Sequence, residues 1–338
     1  MAGIWFNPET LADSLNETVG YKAGLALSAE EICDQLAGTG YPDVIKRSEI
    51  RTVRLRSEEY EELFYKLLHR VGYTTEEHGG AVASMASLYH KYKKADLATY
   101  EGVMRLYHSH ARIMMEEAMR QGVKSMDPTD FMRNVFAKYG ERGLRISMEV
   151  IETFNRVVSL SPHSIVRYTE WRNIEKLSSL FAGGKTKPAY GEFIDQRFID
   201  YLSQNPESIG KMHWRKFEEL TAEYFFRVGY KVELGPGGND DGVDIRIWLP
   251  DESENAPHGI IQCKRQKDKV EKVVVKGLMT DVQFADAHFG LIVTSSELSV
   301  GARNTIVSRG YPIEEVNKEG VAKWLMTLRT PGTGIVRN

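Results

Sequence analysis

Two apolar runs in the last third of the chain, Val243–Trp248 and Gly259–Lys264, most restrict the fold that this sequence can adopt. Each run has the length of a β-strand, and the chain can return through the loop Pro250–His258 so that the two pair as a hairpin. Because successive side chains of a strand point to opposite faces, Gln262 and Lys264 share one face of the second run. In such a hairpin, Asp244 at the start of the first run converges with both at one end.

The remainder of the C-terminal region alternates helical and strand patterns, which is typical of an α/β domain. Apolar spacing predicts the following elements in order: a helix over Trp214–Val228, strands over Tyr230–Leu234, Val243–Trp248 and Gly259–Lys264, a helix over Val270–Ala287, a strand over Gly290–Thr294, a helix over Ser299–Ser308, a short strand and a final helix. Helical periodicity dominates the preceding region, so we expect a mostly α-helical N-terminal domain there.

The strongest linker candidate is Ala182–Gly191, which combines Gly, Lys and Pro without an apolar period. It separates a predicted helical domain, residues 1–190, from an α/β domain, residues 205–338. We predict a helix over Ser164–Phe181 before this linker and one over Glu192–Gln204 after it. The C-terminal part is long enough for an independent core, so we expect it to fold alone.

The side chains that converge on the predicted hairpin suit phosphodiester hydrolysis. Mg²⁺ prefers oxygen ligands and is often held by one or two carboxylates together with substrate phosphate. Asp244 offers a carboxylate and Gln262 an amide oxygen, while Lys264 can orient water and stabilise a developing anion. Glu218, on the helix before the first strand, could supply a fourth group. A salt-bridged or solvated turn is the alternative interpretation of the same residues.

Charge and composition limit the partners of the chain. Lys and Arg number 44 and Asp and Glu 47, which gives a net charge of −3 and excludes a protein that coats nucleic acid by charge alone. Any phosphate contact must come from a local patch. The candidate nucleic-acid-binding residues are Arg265, Lys267, Lys269, Lys272 and Lys276.

Two cysteines provide neither a disulfide framework nor a zinc-binding spacing. No apolar run approaches the roughly 20 residues that a membrane helix requires. The first residues lack the pattern of a signal peptide. We therefore expect a cytoplasmic protein without a membrane partner.

The C-terminal region resembles the Mrr-type restriction endonuclease domain of the PD-(D/E)xK nuclease superfamily. The segments that carry the resemblance are Trp214–Leu220, Val228–Glu233, Asp240–Asp244, Ile261–Arg265 and Gly290–Ser295. The resemblance covers about residues 205–328. It implies a restriction-endonuclease-like fold, in which helices flank a central mixed sheet.

The resemblance also implies roles for individual residues. Asp244 corresponds to the metal-binding aspartate, Lys264 to the catalytic lysine and Glu218 to the helix glutamate of the family. Gln262 replaces the acidic residue of the general motif, so the implied metal ligands are Asp244, Gln262 and Glu218. The implied enzyme is a Mg²⁺-dependent endodeoxyribonuclease, with Mn²⁺ as a substitute, double-stranded DNA as substrate, and defence against foreign DNA as its role.

Several points stay open at this level. A catalytically inactive nuclease fold that binds nucleic acid as a scaffold fits the same motifs. So does an RNA or repair-junction nuclease, because a metal site contacts phosphate and not base. Within the aspartate cluster, we interpret Asp241 as a turn residue and Asp240 as supportive at best. We expect the N-terminal domain to control targeting, assembly or activation, through a homo-oligomer or a partner protein.

Overall fold

The structure, a computed structural model, describes residues 3–122, 126–163, 171–184, 187–238, 242–251 and 256–330. The chain forms two compact units. The first unit comprises Met1–Trp5, Arg54–Lys66 and Glu76–Tyr168, and the second comprises Phe6–Val53, Leu67–Thr75 and Thr169–Asn338. Residues 6–53 thus fold with the C-terminal region and not with the helices that follow them. The division of function between residues 1–190 and 205–338 stays a prediction.

The N-terminal part of the chain is mostly helical, as predicted. Its elements are β1 (Gly3–Phe6), α1 (Thr10–Ala23), β2 (Leu25–Ala26), α2 (Ala29–Gln35), α3 (Tyr41–Ser48), β3 (Val53–Arg56), α4 (Ser57–Arg70), α5 (Gly80–Ala95), α6 (Leu97–Gln121), α7 (Thr129–Leu160), β4 (Glu175–Lys176) and α8 (Leu177–Phe181). β1 pairs with β3, and β2 pairs with β4. Gly140 interrupts α7 with a positive φ of 61°, a conformation that glycine adopts without a steric penalty.

The C-terminal part alternates helices and strands. Its elements are α9 (Gln196–Gln204), a 3₁₀ turn (Pro206–Lys211), α10 (Trp214–Arg227), β5 (Lys231–Leu234), β6 (Ile245–Trp248), β7 (Gly259–Lys264), α11 (Lys272–Phe284), β8 (Phe289–Thr294), α12 (Val300–Arg309), β9 (Ile313–Val316) and α13 (Lys318–Leu328). The strand order is β5-β6-β7-β8-β9. β5, β6 and β7 are antiparallel, whereas β7, β8 and β9 are parallel.

Each unit has its own apolar core. In the second unit, one buried cluster joins the sheet to α11 and α12 through Val243, Ile260, Val270, Val275, Leu278, Val282, Ile292, Leu298, Ala302 and Ile313. In the first unit, α5, α6 and α7 bury Leu88, Tyr100, Val103, Met114, Phe131, Val135, Ile146 and Val150. The mixed sheet with packed helices confirms the predicted fold class.

Two helix predictions differ from the structure near the proposed linker. The helix predicted over Ser164–Phe181 is wrong between residues 171 and 176, and residues 164–170 lie outside the described residues. There Glu175 pairs with Leu25 as a strand. The buried Arg197 donates hydrogen bonds to the carbonyl oxygens of Gly24 and Asn173, both at 2.9 Å. These contacts with distant segments outweigh local helical propensity.

The second difference concerns the start of α9. The sequence predicts a helix from Glu192, but α9 begins at Gln196. The backbone N–H groups of Glu192 and Phe193 donate instead to the buried carboxylate of Glu223, at 3.0 and 2.7 Å. Asp195 then caps α9 through the N–H of Arg197. Within the described ranges, no helix has both the length and the apolar character that crossing a bilayer requires.

Candidate active site

Asp244 lies immediately before β6, opposite the end of β7. Its N–H donates to the carbonyl oxygen of Ile261 at 3.0 Å, which extends the β6–β7 ladder by one residue. The side-chain oxygen Oδ2 accepts a hydrogen bond from the N–H of Cys263 at 2.6 Å. Because Ile245 pairs with Ile261, Asp244 stands across from Gln262 on the same face of the sheet.

Gln262 brings an amide group to this face. The residue is 8% exposed, and its Oε1 is buried without a hydrogen-bond partner among the described residues. The turn at Gly242 makes room for the amide, since a Cβ at residue 242 would lie 2.9 Å from Gln262 Nε2. Gly242 also has a positive φ of 89°, so glycine is needed there for two reasons. A buried, unpartnered carbonyl oxygen is costly unless a cation or donor occupies the adjacent space.

Glu218 enters the same region from α10. Its carboxyl group shares a hydrogen bond with that of Asp244, and its Oε2 accepts a second one from Arg215 Nη1 at 2.8 Å. Burial and, after it, the charge of Asp244 raise the pKa of Glu218 to about 7, while Arg215 acts in the opposite direction. The two carboxyl groups contact each other, and Arg215 offsets part of their negative charge. The site therefore favours a further positive charge.

Lys264 ends β7, two residues beyond Gln262 and on the same face by strand alternation. Its backbone carbonyl is fixed by hydrogen bonds from Thr294 Oγ1 at 2.8 Å and from the N–H of Ser295 at 3.2 Å. Desolvation raises the pKa of the half-buried Cys263 thiol, Asp244 and Glu218 raise it further, and Lys264 lowers it, so these three charged groups lie near the thiol. The structure therefore brings Glu218, Asp244, Gln262 and Lys264 to one end of the β6–β7 hairpin.

The predicted phosphate-contacting residues divide into two groups. Lys267, Lys272 and Lys276 are exposed. Arg265 and Lys269 are engaged with protein groups: Arg265 Nη1 donates to the carbonyl oxygen of Gly210 at 2.9 Å, and Lys269 Nζ lies 2.7 Å from Glu297 Oε1. Lys272 and Lys276 are one turn apart at the start of α11, so they present two charges on one helix face.

Sequence reasoning missed Arg215, the residue that holds the carboxylate of Glu218. The available signal was their three-residue spacing at the start of a predicted helix, which brings side chains together. Asp240 and Asp241, considered above as supporting residues of the turn, lie outside the described residues.

The donor set fits a hard divalent cation. It consists of two carboxylates in contact and one buried amide oxygen without a partner. The described residues contain no cluster of three or more His, Cys, Asp or Glu side chains arranged around a common point. Mg²⁺ does not need one, because it commonly keeps several waters and takes only one or two protein carboxylates.

Comparisons with known proteins identify a family for the C-terminal region. Residues 209–325 match the Mrr_cat family, which is described as restriction endonuclease. The C-terminal region therefore carries a restriction-endonuclease domain of the Mrr type. A curated relative, the uncharacterized protein y4cE of Sinorhizobium fredii (strain NBRC 101917 / NGR234), is 25% identical over 95 residues, which are 28% of this chain and 24% of that protein. The chain thus spans about a quarter of that relative's length.

Solved structures with similarity to this chain include two restriction endonucleases. The DNA modification-dependent restriction endonuclease AspBHI is 17% identical, with 39% of this chain and 37% of that chain covered and a TM-score of 0.31. The MspJI restriction endonuclease, in complex with a 27-mer oligonucleotide, is 14% identical, with 58% and 42% covered and a TM-score of 0.29.

Proposed function

We propose that this protein is a Mg²⁺-dependent endonuclease that hydrolyses phosphodiester bonds of double-stranded DNA. The observation that carries the proposal is the convergence of Glu218, Asp244, Gln262 and Lys264 within a restriction-endonuclease domain. Restriction-endonuclease similarity supports the nuclease class, and the oxygen-rich donor set supports the metal. A role in defence against foreign DNA is part of the proposal.

The metal ion would be held by Asp244, Gln262 and Glu218. When bound, Mg²⁺ or Mn²⁺ supplies positive charge that lowers the pKa of a coordinated water and offsets charge on the reacting phosphate. Asp244 is held in position by the N–H of Cys263, and Glu218 by Arg215. These contacts keep both carboxylates oriented before substrate arrives, which is how preorganised sites reduce the barrier.

Lys264 would act on the substrate directly. Its ammonium group, at the end of a strand whose backbone is fixed by Thr294, can hold the attacking water and stabilise the anion that develops on the phosphate. The exposed Lys267, Lys272 and Lys276 would contact neighbouring phosphates, with Arg265 and Lys269 at the edge of the same surface. Phosphate contacts position the duplex without reading its sequence.

The test is Mg²⁺-dependent nicking of supercoiled plasmid by the full chain, with EDTA as the metal-free control. We expect Lys264→Ala to reduce the rate by roughly 100-fold or more. Lys231→Ala is the matched control, because Lys231 is exposed and lies at the opposite end of the sheet, beside Trp248. It should nick at the wild-type rate.

The alternatives predict other outcomes. An inactive nuclease fold that serves as a scaffold would bind DNA with no metal-dependent nicking by the wild-type chain. An RNA nuclease would cleave labelled RNA with the same dependence on Lys264 and leave the plasmid intact. Regulation belongs to the same proposal: the N-terminal 190 residues would control targeting, assembly or activation through a second copy or a partner protein.

A further inference from the structure

Trp214 is an exposed aromatic residue beside the candidate active site. It is the first residue of α10, and its side chain remains 43% exposed although most of that helix is buried. Glu218 follows one turn later, so about 6 Å along the helix axis separates the two residues. An indole of this exposure has apolar area available to a ligand. Its distance from Glu218 suits contact with the nucleotide next to a phosphate bound at the candidate active site.

The position of the indole is fixed by a glycine turn. A Cβ at residue 237 would lie 3.2 Å from Trp214 Cη2 and 3.1 Å from Arg215 Nη1. Gly237 also has a positive φ of 77°, a conformation that favours glycine, and a Cβ there would make a tight contact with the indole. On another side, the ring of His213 lies 5.0 Å from the indole, centroid to centroid. His213 is itself held, because its Nδ1 accepts the N–H of Arg215 at 3.2 Å.

Two cations lie at the 3₁₀ turn that precedes this aromatic residue. Lys211, at the end of the 3₁₀ turn, is exposed. The hydrogen bond from Arg265 to the carbonyl oxygen of Gly210 brings a second cation from the end of β7 to the same turn. An aromatic face next to cations is the combination that binds single-stranded nucleic acid, where the cations contact phosphates and the ring stacks on a base.

We propose that Trp214 stacks on an unpaired nucleobase adjacent to the phosphate at the candidate active site. The inference rests on the proposed function and narrows its substrate to DNA with an unpaired or displaced base at the cleavage point. Base pairs within an intact duplex have both faces covered by their neighbours and offer only their edges to a protein. A ring that is to stack must therefore meet a base outside the helical stack.

The experiment measures binding of the full chain in EDTA, so that no cleavage is required. Fluorescence anisotropy is recorded with three labelled oligonucleotides: a single strand, a fully paired duplex, and that duplex with one unpaired base. Trp214→Leu removes the aromatic face, whereas Trp214→Phe keeps one. Phe284→Leu is the matched control, because Phe284 is 94% exposed and ends α11. The chain continues from there to the start of β8, which pairs with Gly259 at the end of β7 opposite to Lys264.

We expect Trp214→Leu to weaken binding of the single strand and of the duplex with an unpaired base by roughly 5- to 150-fold, the range of one aromatic–base contact. Trp214→Phe should retain most of the affinity, and the fully paired duplex should bind all variants alike. The inference is overturned if Trp214→Leu binds every oligonucleotide as the wild type does. An equal loss on the paired duplex also overturns it, since the indole would then contact the groove.

A second measurement holds even if Trp214→Leu does not fold. Titration with the unpaired-base duplex should quench tryptophan emission of the wild-type chain more than that of Trp214→Phe, and equal quenching would contradict the stacking. The outcome is separable from that of the proposed function. A protein that shows Trp214-dependent binding but no metal-dependent nicking sinks the nuclease proposal alone.

Discussion

Substitution of Glu223 tests how α10, the helix that carries Glu218, is held in place. Its side chain is fully buried. One oxygen accepts the N–H groups of Glu192 and Phe193, and at 3.4 Å that of Ile194. The other oxygen accepts Arg227 Nε at 2.7 Å, and the Arg227 side chain is only 5% exposed. One carboxylate thus joins α10 to the segment that precedes α9.

We expect Glu223→Ala to lower the free energy of unfolding of the second unit by about 3–5 kcal/mol, the usual effect of removing one partner of a buried ion pair. The effect is large because the buried guanidinium of Arg227 keeps its charge but loses the carboxylate that it contacts at 2.7 Å. The freed backbone N–H groups add to it, since a buried donor without an acceptor costs about 1–3 kcal/mol. Removing Arg227 as well should cost less than the sum of the two single changes, because no charge then stays buried alone.

The assay is urea denaturation followed by tryptophan fluorescence. Of the five tryptophans, only Trp5 belongs to the first unit, so the signal reports mainly on the second. Glu233→Ala is the matched control: the Glu233 carboxylate is 61% exposed and meets Arg246 at 3.4 Å, a surface pair that contributes at most about 1 kcal/mol. If Glu223→Ala lowers stability no more than Glu233→Ala does, the argument for a buried anchor is refuted.

Three further predictions follow from other parts of the second unit. Asp244→Asn keeps an acceptor for the N–H of Cys263 but removes a charge, so plasmid nicking should fall by roughly 100-fold at an unchanged melting temperature; a fall in melting temperature would indicate a structural role. Lys272→Ala combined with Lys276→Ala should reduce the slope of log K against log salt by about 2, measured by anisotropy, because each phosphate contact contributes about 0.9. Burial raises the pKa of Asp200 from 3.8 to about 6. This carboxyl group therefore favours the folded state below pH 4 and loses that contribution as pH rises through 6. Asp200→Asn should be more stable than wild type at pH 8, by up to about 3 kcal/mol for the difference 6 − 3.8 = 2.2 units, and the gain should vanish near pH 4 in urea titrations; a gain independent of pH would contradict the assignment.

Local patterns predicted most of the second unit because its elements carry their own signals. Ser28 and Glu31 have the spacing of a capping box and form one at the start of α2, with Glu31 N to Ser28 Oγ at 3.2 Å and Ser28 N to Glu31 Oε2 at 2.7 Å. β7 has the predicted bounds, Gly259–Lys264. Prediction failed where distant segments decide the conformation. The strand at Glu175–Lys176 exists because Leu25–Ala26, about 150 residues earlier, pairs with it.

The candidate site was likewise predictable where a local sequence pattern determines it, and not where distant segments do. The strand period predicted that Asp244 and Gln262 converge at one end of the hairpin, and the register that places them across from each other comes from the structure. Glu218 was a candidate from its place on the preceding helix and from the family resemblance, but its contact with Asp244 depends on the packing of α10 against the sheet. The contact of Glu223 with the segment before α9 left no trace in the sequence, because the oxygen that makes it accepts backbone N–H groups, which have no side-chain signature.

The proposed catalytic residues occupy a shorter stretch of the chain than the residues that support the fold around them. Every proposed catalytic residue lies beyond residue 205, yet α9, at Gln196–Gln204, is buried along most of its length and packs against α13. A fragment of residues 205–338 would lack α9 and the backbone N–H groups of Glu192 and Phe193. Glu223 would then lose these hydrogen bonds and keep its contact with Arg227. We therefore expect this fragment to unfold at lower urea than the second unit of the full chain. A fragment of residues 187–338 should recover much of the difference, because it restores α9 and that anchor. Equal midpoints for the two fragments would show that the sheet and its own helices are sufficient.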